Sequence, residues 1–134
     1  MIALTSHALQ LLIRLSLKDF DFDKALDALK KLEEIATNTE SLTINHFYIL
    51  SKAQIMATKG SIRDLDVAEQ LLSSLITSNS ISREIHVLST LSLCEVLLRK
   101  YVATKQNENL ETAYNLIKRL REDSEKSGNY NLVI

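Results

Sequence analysis

The sequence of 134 residues contains no proline, no tryptophan, two glycines and one cysteine. Strands, hairpins and phosphate-binding loops need proline or glycine at their turns, so a β-rich or Gly-loop fold is a poor fit. With Cys94 alone, no intramolecular disulfide is possible, which points to a cytoplasmic setting. Neither sign of charge dominates: 16 basic residues face 17 acidic ones, so no overall field recruits nucleic acid or an anionic membrane. Long hydrophobic runs are missing too. The most apolar stretch, Ile85 to Leu98, is broken by His86, Ser89, Thr90, Ser92 and Glu95. It falls short of the roughly 18 uninterrupted residues a membrane span needs, and no basic leader with an apolar core opens the chain.

What is present is helix-forming material. Leu, Ala, Glu and Lys are abundant, and 46% of residues are hydrophobic, enough for a real core in one domain. Apolar spacing places six helices at about 2–18, 22–37, 41–59, 64–78, 82–105 and 109–127. Asp21, Asp64 and Asn109 are expected to cap three of them, and Gly60 and Gly128 to end two. The expected fold class is all-α, with short connections laying neighbours antiparallel.

Three segments align: DFDKALDALKKL from Asp21, DLDVAEQLLSSL from Asp64 and NLETAYNLIKRL from Asn109, starting 43 and 45 residues apart. Each opens with a capping residue and an acid in the first turn, suited to the helix dipole. A small residue follows (Ala25, Ala68, Ala113), and an apolar stripe ends at Leu32, Leu75 and Leu120. Each copy is preceded by an apolar helix carrying Leu9, Leu12 and Ile13; Ile49, Leu50, Ala53 and Met56; or Leu88, Leu91, Cys94 and Leu98. The unit is a helical hairpin used three times, at about 2–37, 41–78 and 82–127.

These residues, most of all FDFDKAL, resemble the tetratricopeptide repeat, and the resemblance covers nearly the whole chain. It implies a right-handed α-solenoid of about three antiparallel hairpins. The pattern departs from the 34-residue spacing, being longer around TKGSIRD and ATKQNENLE, and places Ile13 where that family prefers a small residue. In this length it is similar to divergent tetratricopeptide-like arrays in multi-repeat archaeal proteins and in large bacterial transcription activators.

No chemistry-bearing constellation stands out. His7, His46 and His86 lack a second ligand three or four residues away, and no metal or other cofactor is expected. His46 and His86 look like equivalent positions near the starts of their helices. Cys94 sits among apolar neighbours without a cation to hold a thiolate, so it reads as a small core residue. The basic cluster Lys118, Arg119 and Arg121 runs at once into Glu122, Asp123 and Glu125, and has no aromatic partner for a base. The chain is therefore expected to be noncatalytic and not to bind nucleic acid.

The fifth helix is apolar nearly all round, and should be covered on several sides. Residues 129–134 (NYNLVI) read as the start of a further helix, which makes the single domain a piece of a longer array. The expected role is to bind a partner protein or peptide, an amphipathic helix above all, or a second copy in a homodimer. The alternative is a ligand- or peptide-sensing segment of a signalling or transcription regulator. The resemblance puts the first helix of each hairpin on the concave, binding face. By place in the repeat this assigns Gln10 and Arg14, Gln54, and Glu95 and Arg99 as contacts, in a groove made greasy by Leu50, Leu91 and Leu98.

Overall fold

A computed structural model describes residues 2–126, with side chains from Leu4 onward; the NYNLVI segment and Gly128 lie outside the described residues. Six helices follow one another: α1 (Ile2–Lys18), α2 (Phe22–Thr37), α3 (Leu42–Lys59), α4 (Ile62–Ile76), α5 (Arg83–Thr104) and α6 (Asn107–Lys126). No strand occurs among the described residues, and no described helix is long and apolar enough to cross a membrane.

Capping chemistry sets the boundaries. Asp21 caps α2 as expected, its carboxylate accepting from the Lys24 N–H at 3.1 Å. Elsewhere serine does this work. The hydroxyls of Ser41, Ser61 and Ser82 accept from the backbone three residues on, each with its own backbone extended. Asp64 is thus not the cap of α4. It lies inside the first turn, where its charge faces the positive end of the helix. Asn109 is also displaced, because α6 begins at Asn107. Gly60 ends α3 at φ 79°, a left-handed corner that suits a residue without a side chain.

The repeat visible in the sequence reappears as repeated burial. Ala25, Ala68 and Ala113 are all buried, as are Leu32, Leu75 and Leu120. Each small alanine lets α2, α4 or α6 approach the helix before it. The first helices share a register as well. Ser6, Gln10, Ile13 and Leu17 are buried in α1, and so, 40 positions on, are His46, Leu50, Ala53 and Ala57 in α3. In α5 the same register continues at Ser89, Leu93 and Val96. The expected equivalence of His46 with His86 therefore gives way: the counterpart of buried His46 is Ser89.

Backbone contacts between helices are confined to neighbouring pairs. Besides its pairing partner, α3 packs on α1 and α2, and α5 packs on α3 and α4; backbones of the first and third pairs do not meet. One apolar cluster joins the first pair to α3 through Ile13, Ala25, Leu32, Phe47 and Ile55. A second joins α3 and α4 to the last pair through Leu50, Ala68, Leu72, Leu93, Leu97 and Ala113. The surplus on α5 is largely absorbed this way, by α3, α4 and α6 together, although Leu98 and Val102 remain exposed.

Candidate functional site

A line of amides and hydroxyls crosses the three first helices. The Gln10 side chain on α1 donates to Ser51 Oγ and to Gln54 Oε1 on α3, each at 2.9 Å. Gln54 then donates to Ser92 Oγ on α5 at 3.2 Å, while the Ser51 hydroxyl donates to the Phe47 carbonyl at 2.7 Å. Buried polar groups keep such partners because leaving one unmade costs about 1–3 kcal/mol. Gln10 is only 1% exposed. Assigned from the sequence as a partner contact, it instead aligns the helices beneath the surface.

Past this line, toward the C-terminal ends of α1 and α3 and the later half of α5, the helices separate around a cleft of about 360 Å³. Arg14, Leu17 and Lys18 come from α1, and Gln54, Ala57 and Thr58 from α3. Ser92, Glu95 and Arg99 come from α5, and Phe20 stands at the α1–α2 turn. Four of the five residues singled out in the sequence (Arg14, Gln54, Glu95 and Arg99) thus line one cleft. The expected leucines do not supply its apolar lining: Leu50 belongs to the core, and neither Leu91 nor Leu98 borders the cleft. Its apolar floor is Leu17 and Ala57, with the Phe20 ring beside them.

Charge in the cleft is unbalanced. Arg99 donates to the Ala57 carbonyl at 2.7 Å, near the negative C-terminal end of α3, and to Glu95 Oε1 at 2.9 Å. That neutralises Glu95 and fixes the Arg99 fork. Arg14 keeps a buried Nε without a hydrogen-bond partner, and Lys18 makes no ion pair among the described residues. Two cations of the cleft are thus without an ion-pair partner among the described residues.

Phe20 was not legible as a site residue. Its φ of 55° is left-handed, a conformation costing a non-glycine residue roughly 1 kcal/mol or more, and its ring is exposed. The only signal in the sequence was a large aromatic immediately before the Asp21 cap, where a glycine would fit the backbone better.

The histidines and Cys94 stand outside the cleft. His7 meets Glu84 of α5 at 3.4 Å and tilts over Phe47, an exposed contact that tacks α1 to α5. His46 is buried with its Nδ1 unpartnered. Burial pushes the Cys94 thiol pKa up, a backbone hydrogen bond offsetting this only in part, and the thiol donates to the Ala113 carbonyl at 3.7 Å. No group of three metal-ligating side chains gathers among the described residues. The chain matches no protein-family model, no curated protein and no solved structure.

Proposed function

We propose that this chain is a noncatalytic protein-binding module, a tetratricopeptide-like stack of three helical hairpins. Its site is the cleft across α1, α3 and α5. The stack reading is supported by the recurring buried positions and by backbone contacts limited to neighbouring pairs. The binding reading rests on one observation: a cleft on three successive first helices holds two cations, Arg14 and Lys18, for which no described residue supplies an ion pair. Such a site fits an amphipathic partner segment with a carboxylate opposite Arg14 and an apolar side chain laid on Leu17, Ala57 and Phe20.

The test is selection of helical peptides from a displayed library on the wild-type chain, with Arg14→Glu as the counter-target. The enriched peptides should place Asp or Glu beside Leu or Phe at helical spacing. They should bind Arg14→Glu at least about tenfold more weakly, a loss of about 1.4 kcal/mol. Binding should also fall as salt rises. Peptides that bind both proteins equally well would remove the cleft from the proposal.

A further inference from the structure

A single carboxylate laid on Arg14 leaves part of the charge in the cleft unanswered. The lining carries three cations, Arg14, Lys18 and Arg99, against one acid, Glu95, and no histidine. Arg99 and Glu95 hold each other at 2.9 Å, so the excess is two positive charges, both on α1. Arg14 and Lys18 stand one turn apart there, and like charges at that spacing repel. The acids nearest in the chain do not relieve them. Asp19 follows Lys18 directly, a spacing at which side chains diverge, and the Asp21 carboxylate is taken up by the Lys24 N–H. Neither acid forms an ion pair with Arg14 or Lys18. Cations also gather at helix ends because the last carbonyls attract them, but here the chain occupies those carbonyls itself. Leu15, Ser16 and Leu17 of α1 accept from the N–H groups of Asp19, Asp21 and Phe20. In α3, Met56 accepts from Gly60 and Ala57 from Arg99.

We propose that the anion this cleft selects is a phosphomonoester, carried by a phosphorylated serine or threonine of the partner segment. The inference rests on the peptide-binding reading above and adds its switch: phosphorylation of the segment strengthens binding. The argument is charge complementarity. At neutral pH a phosphorylated side chain carries a charge of about −1.5 to −2 and three acceptor oxygens. That matches the two cations on α1, whereas a carboxylate leaves one of them over. A guanidinium and an ammonium one turn apart supply the donors those oxygens need. The apolar floor of Leu17 and Ala57, with Phe20 beside it, gives a place to an apolar side chain near the phosphorylated residue. Inorganic phosphate has nothing to lay there, which favours a segment over the free ion.

The test takes the 134-residue chain and the tightest peptide that selection on it yields, made in three forms. One keeps its Asp or Glu, one has phosphoserine at that position and one has serine. By fluorescence anisotropy at about pH 7.5, the phosphoserine form should bind about tenfold more tightly than the carboxylate form, and the serine form more weakly than both. Near pH 6 the phosphate takes up its second proton, while carboxylates stay ionised down to about pH 5. The preference should therefore fall to about threefold or less at pH 5, and no histidine of the cleft confuses the readout. Lys18→Gln, at an exposed position, should shrink the preference similarly at pH 7.5. A phosphoserine form no tighter than its carboxylate parent overturns the inference and leaves the peptide-binding reading standing. So does a tenfold preference that persists at pH 5 or in Lys18→Gln. Inorganic phosphate that displaces the phosphoserine form at equal concentration would make the free ion the ligand and overturn it as well. If none of the three forms binds, the peptide-binding reading fails and this inference with it.

Discussion

Phe20 sets a local cost against a surface feature. Its left-handed backbone places a bare ring at the edge of the cleft, and the turn is closed by the Phe20 N–H on the Leu17 carbonyl and the Asp21 N–H on the Ser16 carbonyl. Phe20→Gly should raise the stability of the chain by about 0.5–1 kcal/mol in urea unfolding. The same substitution should weaken whatever peptide the cleft selects, since the ring is gone. Tyr48 makes a second residue-scale test. Burial first, and then the hydrogen bond and charge of Glu33 at 2.7 Å, push its phenol pKa up to about 12 from an ordinary 10. The neutral phenol is thus favoured in the folded state. This contribution is complete below pH 10 and is lost as the pH rises through 12. The stability advantage of wild type over Tyr48→Phe should shrink over that window, by about 1 kcal/mol once solvent screening is allowed for. Equal pH profiles would show that neither burial nor Glu33 shifts the phenol on folding.

At the scale of the element, helix existence and type were written locally, while starts were not. The apolar period and the absence of proline fix six helices, because each bonds its own backbone and needs only good formers and one apolar face. Starts depend on which nearby oxygen reaches the free N–H groups, and near α4 two residues compete, Ser61 and Asp64. Ser61 wins because Gly60 already turns the chain and leaves Ser61 extended, three residues ahead of the amide it accepts from. Ser61→Ala should therefore cost about 1 kcal/mol, whereas Asp64→Asn should cost only a few tenths through the lost charge–dipole attraction. Chemical unfolding of the two variants side by side decides which residue starts α4. The short left-handed corners at Gly60 and Lys105 hold α4 and α6 against their predecessors, and these pairings put α1, α3 and α5 side by side around the cleft.

Over the whole molecule, stability should be graded by position in the stack. The α3 helix packs on α1, α2, α4 and α5, whereas α6 packs on α5 alone among the described residues. In native-state hydrogen exchange the α3 amides should be protected longest, and those of α6 should open at the lowest free energy. Uniform protection across all six helices would mean that the chain unfolds as one unit despite its neighbour-only backbone contacts. Lys100 contributes to this coupling. Burial opposes its charge, but Asp66 and Glu69 outweigh it and hold the ammonium pKa above the ordinary lysine range, joining α5 to α4.

Composition and period by themselves determined the all-helical class and the recurring alanines at the helix crossings; only the resemblance to a repeat family pointed to Arg14, Gln54, Glu95 and Arg99, which the fold brings to one cleft. Tertiary structure alone decided which of these face solvent. Gln10 and Arg14 are one turn apart on α1, and although a charged guanidinium is costlier to bury than a neutral amide, the sequence does not say what either meets across the helices. What each meets across the helices decides it: the Gln10 amide reaches Ser51 and Gln54 of α3, whereas Arg14 opens into the cleft. Burial is set by which residues of a helix about 40 positions away in the chain stand opposite, a non-local relation that a period read along one helix does not contain.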